Sequence, residues 1–268
     1  MQISAQHQFL PKTNSVRASM VMDNFGIDFE QGSHVIADEI DLPIEQGQIV
    51  AFTGESGSGK STLMRTVRSE LTEQGQTTIS LDEVSLGEKI LVDSIELPFE
   101  ETLQILSACG LGEAHLLLRT PQELSDGQRY RFQLAKAFST KVDWIIADEY
   151  TATLDRTLAK VVSLNLQKLN VRTNSGILVA TTHEDIIDDL APHLQVRCFM
   201  NGSIELIQAV DADRKKKILA GRRILGLTGL QSRLGVLRSV ALSQPRNRLH
   251  PFHDSSLVWR NTHWDLCL

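Results

Sequence analysis

The spacing of apolar positions changes several times along the chain, and each change marks an element. Residues 1–20 are polar and without period, which predicts a loose leader. From Val35 to Ile44 apolar and acidic residues roughly alternate, as in an antiparallel strand with one solvent-facing side. Gln46-Gly47 predicts a turn into Gln48–Thr53, a short continuous apolar run expected to be a buried strand. A glycine-rich loop, Gly54–Gly59, comes next, and Leu63, Val67 and Leu71 then recur at helical spacing over Lys60–Leu71. Strand-like pieces are expected at Thr77–Leu81 and Lys89–Ile95. Residues 100–119 read as helix broken at Gly110 and Gly112, and Gly127–Phe138 as a second helix. A buried strand at Trp144–Ala147, a helix at Arg156–Leu169 and a buried strand at Ile177–Thr181 follow. Strands alternate with helices, and their apolar runs are continuous. The expected class is therefore α/β, with a mostly parallel sheet and an N-terminal antiparallel β portion. No motif repeats internally.

Composition narrows the class of protein. With 268 residues, 41% hydrophobic and 22% charged, the chain is neither fibrous nor wholly disordered. The cysteines Cys109, Cys198 and Cys267 are far apart and form no CxxC pair, so reduced thiols of a cytoplasmic protein are expected. No apolar run reaches the ~18 residues of a membrane span, and the N-terminus lacks the apolar core of a signal peptide. Charge is divided. Residues 1–213 carry 16 Lys and Arg against 31 Asp and Glu, whereas residues 214–268 carry 11 against 2. The expected organisation is a loose leader (1–20), an acidic body (21–213) and a basic tail (214–268).

Four local motifs carry chemistry. Gly54-Glu55-Ser56-Gly57-Ser58-Gly59-Lys60-Ser61-Thr62 lies between an expected strand and an expected helix. In that setting backbone N–H groups can curl around a polyphosphate at a helix N-terminus. Lys60 can reach the β- and γ-phosphates, and the Ser61 hydroxyl can enter a Mg²⁺ shell. The strand ending in Asp148-Glu149 delivers two carboxylates to the sheet's C-terminal edge: Asp148 for Mg²⁺, Glu149 to orient or deprotonate water. Ser125-Asp126-Gly127-Gln128 opens a helix and offers a second anion site or a plain helix cap. His183 stands just beyond the last strand.

In order and spacing these elements resemble the ATP-binding cassette (ABC) ATPases, over residues 25 to 207. GESGSGKST (54–62) is similar to the family's phosphate loop, LSDGQ (124–128) to its signature, and IIADE (145–149) to its Mg²⁺ and base strand. Ala152–Asp155 is similar to its dimer-contact loop, and Thr182-His183-Glu184 to its switch-histidine segment. The resemblance implies a P-loop ATPase with a short helical insert at about 96–140, using ATP and Mg²⁺. Glu149, His183 and Lys60 would be catalytic, and Ser61 and Asp148 would hold the metal. Residues 54–62 would hold the nucleotide, with Phe29 stacked on adenine. Ser125, Gly127 and Gln128 would reach it from a second copy, and Asp155 would link the two sites. LSDGQRYRFQLAKA with ADEYTATLDR looks like the branch sometimes fused to an acetyltransferase domain.

Two departures from the pattern shape the expected role. The family's glutamine after the second strand is missing, leaving Asp93 or Gln104 as substitutes, and only about 30 residues separate Ile95 from Leu124. A soluble, non-transporter dimeric ATPase is expected, with a membrane partner less expected; for the basic tail three readings compete, a solvated tail with no fixed role, a nucleic-acid-binding arm and an anionic-membrane contact. An ATP-binding transporter subunit and a nucleotide-gated binding module are the alternatives.

Overall fold

A computed structural model describes residues 1–8, 15–26 and 33–209. Phe29 and the basic tail 214–268 lie outside the described residues.

Six strands form the central sheet: β3 (Ile49–Thr53), β4 (Thr78–Ser80), β5 (Trp144–Ala147), β6 (Gly176–Thr181), β7 (Leu194–Cys198) and β8 (Ile204–Gln208). Their order is β4-β5-β6-β3-β7-β8, parallel except for the antiparallel pair β7 and β8. The expected mostly parallel sheet is present. Every residue of β3, β5 and β6 is buried, because helices or a second sheet cover both faces.

The two faces sort the side chains of β3. Val50 and Phe52 point to one core with Leu63, Met64, Val67 and Leu71 of α2 (Lys60–Glu73), whereas Ile49 and Ala51 point to the other. Leu63, Val67 and Leu71 are each at most 2% exposed, and each buried side chain of this kind contributes roughly 1.5–3 kcal/mol. The second core gathers α3 (Phe99–Ala108), the short α4 (Ala114–Leu117), α5 (Asp126–Ser139) and α6 (Arg156–Thr173). A further short helix, α7 (Ile187–Leu190), follows β6. Among the described residues no helix is long and apolar enough to cross a membrane.

Two expectations are corrected. The loose leader contains β1 (Gln2–Gln8), paired antiparallel with β2 (Ser33–Asp41), and α1 (Val16–Phe25) begins within it. Ile3 and Ala5 alternate inward at 4% and 1% exposure, packing against the α2 side of the sheet. The strand expected at Lys89–Ile95 is instead a 3₁₀ turn over Leu91–Asp93. The Ser94 hydroxyl donates to the carbonyls of Lys89 and Ile90, and the Asp93 N–H donates to Ile90. Those local bonds curl the backbone away from any ladder.

Candidate functional site

The phosphate-loop segment leaves β3 and enters α2 at the C-terminal edge of the parallel strands, where open α/β sheets form their ligand crevices. Its backbone needs glycine. Gly54 (φ +139°) would drive a Cβ into the Cys198 carbonyl, and Gly59 (φ +87°) would set one 2.6 Å from Ile36 Cγ2. The loop borders a cavity of about 670 Å³ lined by residues 56–62, Asp148, Glu149, Thr181, Thr182 and His183. Gly54 and Glu55 line a neighbouring depression instead.

Inside the cavity the fully buried side-chain polar atoms are partnered within the chain, with one exception. Ser61 Oγ donates to Asp148 Oδ1 at 2.8 Å, and the Glu149 N–H donates to the same oxygen at 3.0 Å. Lys60 is 8% exposed, and its Nζ donates to the Glu55 carbonyl at 2.5 Å. Burial lowers its ammonium from the usual lysine value, against the opposite pull of Cys198 and Asp148. The exception is Ser58 Oγ, buried in the glycine cradle without a hydrogen-bond partner. A buried hydroxyl left unpaired is costly, and a phosphate oxygen would satisfy it. The Ser61–Asp148 pair supplies oxygen donors alone. That set suits Mg²⁺, which takes one or two protein ligands and fills its shell with phosphate and water.

Glu149 follows β5 in the left-handed region (φ +50°), and Thr151 is left-handed as well (φ +64°). A β-branched residue in that region costs on the order of 1–3 kcal/mol, so the surrounding bonds must hold it there. His183 lines the cavity half-buried, its N–H donating to Thr181 Oγ1 at 3.1 Å.

The signature residues stand apart from this cavity. Ser125 is exposed and caps α5: its Oγ accepts from the Gln128 N–H at 3.3 Å, while Gln128 Oε1 accepts from the Ser125 N–H at 3.0 Å. Ser125, and not the neighbouring Asp126, is the cap. Asp126 sits in the first turn, 3.4 Å from Arg129. Gly127 lies against the loop after Glu149, where a Cβ would stand 3.1 Å from the Thr153 carbonyl. Asp155 caps α6, accepting from the Leu158 N–H at 2.9 Å. Neither substitute for the missing glutamine reaches the cavity: Gln104 Oε1 accepts from Arg172 at 2.6 Å, and Asp93 closes the 3₁₀ turn.

Sequence reasoning missed several contributors. Ile36, Phe199 and Met200 line the cavity, the latter two from the turn between β7 and β8. Their only signal is an apolar pair ahead of Asn201-Gly202. Arg65 also lies 3.7 Å from Asp148 Oδ2, one helical turn beyond Ser61.

Comparison with known proteins finds relatives of this chain. A family model described as "ABC transporter" matches residues 37–102. An aliphatic sulfonates import ATP-binding protein, SsuB 2 of Rhodococcus jostii (strain RHA1), is 29% identical over 201 residues, covering 70% of this chain and 82% of that protein. The lipoprotein-releasing system ATP-binding protein LolD of Pseudoalteromonas translucida (strain TAC 125) is 27% identical over 206 residues, covering 63% and 88%. Among solved structures, the ATP-binding cassette MJ0796, a dimer bound to ADP and Pi in a post-hydrolysis state, shares the fold with a TM-score of 0.53 and 17% identity. It covers 78% of this chain and 99% of its own.

Proposed function

Because the chain carries an ABC transporter ATPase domain, we propose that it binds and hydrolyses Mg-ATP as the ATP-binding subunit of a transporter, two copies enclosing two nucleotides. One observation carries this reading. Lys60, Ser61, Asp148 and Glu149 converge on one cavity, while Ser125 and Gly127 lie outside it on the surface of the same chain. A second copy, turned to face the first, would bring its Ser125 and Gly127 to the open side of the phosphates.

In this mechanism the N–H groups of the glycine loop and the α2 N-terminus hold the β- and γ-phosphates. Lys60 exchanges the Glu55 carbonyl for a phosphate oxygen, and Ser58 Oγ gains the partner it lacks. Ser61 and Asp148 would hold Mg²⁺, whose charge offsets that of the phosphate oxygens. Glu149 orients a water for attack on the γ-phosphorus and accepts its proton, while His183 contacts the γ-phosphate from the end of β6.

The relatives' names favour the transporter role: one serves import, the other a lipoprotein-releasing system. The soluble, non-transporter expectation finds no support among them, and neither does nucleic-acid binding. In this reading the cassette works at the cytoplasmic face, and the membrane-spanning part belongs to a partner protein.

The test is E149Q, measured with wild type. With Mg-ATP the variant should bind nucleotide, stop turning over and double its mass in light scattering. A variant that hydrolyses like wild type removes Glu149 as the base, and a monomeric mass at tens of micromolar chain removes the shared sites. Affinity purification from detergent-solubilised membranes tests the transporter role. Co-purification of an integral membrane protein is expected, and recovery of the chain alone counts against it.

A further inference from the structure

The chain has two tyrosines, and both meet at the loop that carries Glu149. Tyr150 is fully buried, its hydroxyl 3.2 Å from Ser163 Oγ on α6. Tyr130 projects from α5, and its phenolic oxygen accepts from the Thr151 N–H at 3.3 Å. Burial pushes the Tyr130 phenol well above its usual value, so it stays neutral.

The backbone between them is tightly specified. The Ala152 N–H donates to the Glu149 carbonyl at 2.9 Å, closing a turn with Thr151 as its third residue. A left-handed third residue is ordinarily glycine. Here it is a buried threonine at φ +64°. The Tyr150 N–H donates to the Ala180 carbonyl at 2.8 Å, while Thr151 Oγ1 and Thr181 Oγ1 donate to the Tyr150 carbonyl at 2.6 and 3.2 Å. These bonds fix Tyr150 to β6. The Thr151 amide is held by a side chain of the helix that starts at Ser125.

We propose that Tyr130 is a positioning residue: its phenolic oxygen holds the Thr151 amide and so keeps the left-handed turn that presents Glu149 to the nucleotide cavity. The inference rests on the ATPase reading and deepens it. Ser125 and Tyr130 lie on one rigid helix, about 7 Å apart along its axis. Gly127, between them, already abuts the Thr153 carbonyl.

The experiment compares wild type, Y130F, Y130F/T151G and S163A. Y130F deletes only the acceptor, and S163A removes a comparable buried hydroxyl contact without touching the Thr151 amide. Hydrolysis is followed by phosphate release and binding with a fluorescent ATP analogue, each at the same interval below that variant's own Tm. Y130F should lose about tenfold in kcat with ATP affinity within about twofold, since a displaced group costs turnover rather than binding. S163A should keep kcat within about twofold, although its Tm falls as Y130F's does. Glycine at 151 adopts the left-handed turn unaided, so Y130F/T151G should recover most of the loss. Equal kcat in Y130F and wild type overturns the inference. So does an equal loss in S163A, a parallel loss of affinity, or no recovery in the double variant. Wild type that binds Mg-ATP without hydrolysing it overturns the ATPase reading too, whereas an active wild type beside an unimpaired Y130F overturns this inference alone.

Discussion

The phosphate-loop end and the signature end of this chain are built by opposite rules. Around Lys60 and Ser61 the polar atoms line a cavity, and Ser61 bonds to Asp148 across 87 residues of chain while Lys60 bonds to Glu55 within its own loop. Around Ser125 they are exposed, and bonded only within three residues of themselves. The first region is finished within one chain. The second is a capped helix end that becomes a binding surface only when something is brought to it. In the proposed mechanism this placement separates what one copy would do alone, which is bind, from what would need two.

The sharpest way to break this division is K60A. It should lower ATP affinity by roughly 100-fold or more and abolish turnover, as measured by equilibrium binding and phosphate release. Retained tight binding would mean that the cavity is not the nucleotide site. S125R should give the opposite profile, with turnover down about 100-fold and single-chain affinity within about twofold. Loss of the cap costs about 1 kcal/mol, so S125A serves as the stability control in the same melts. Should S125R abolish binding as K60A does, the two regions would not be separable.

Smaller effects sharpen the comparison. Asp126 adds a negative charge beside the residue that would face a second copy's phosphates. D126N should therefore strengthen ATP-driven dimerisation by about two- to fivefold, and less at high salt. Unchanged dimerisation at low salt would show the carboxylate to be turned away, toward Arg129. The mildest probe uses two cysteines. Burial pushes the Cys198 thiol, beside Lys60, up to about 11, and the Cys109 thiol, beneath Arg131 of the signature helix, up to about 12. A thiol with a raised pKa stays protonated below that value, so both should resist alkylation between pH 7 and 9 and react once unfolded. ATP should slow residual labelling of Cys198 by about two- to threefold and leave Cys109 unchanged, as read by peptide mass mapping. Equal protection of both would argue that nucleotide closes the whole chain rather than one end.

The sequence made the cavity readable because its requirements are local. Gly54 and Gly59 are dictated by close backbone approach, and Ile145 and Ile146 by burial on both faces of the sheet, so the pattern survives in a short window. Features resting on distant contacts left little trace. Among the residues of β1 whose burial is described, Ile3 and Ala5 are buried, too few apolar positions to stand out among glutamines. Leu91 is fully buried, so Lys89–Ile95 resembles a strand in composition. What decides otherwise is hydrogen bonding by Ser94, which hydropathy does not register. The bond from Thr151 to Tyr130 spans 21 residues and depends on one phenol, which a periodicity reading takes for core.

The Lys60–Glu55 and Ser61–Asp148 bonds carry a consequence for selectivity. A ligand entering this cavity finds Ser58 Oγ unpartnered but must compete with Glu55 for Lys60 and with Asp148 for Ser61. Only one with enough phosphates to replace both partners at once recovers what it displaces. On the proposed mechanism the cavity would therefore set a threshold that a triphosphate crosses with more contacts than a monophosphate, a discrimination by phosphate count that precedes any reading of the base.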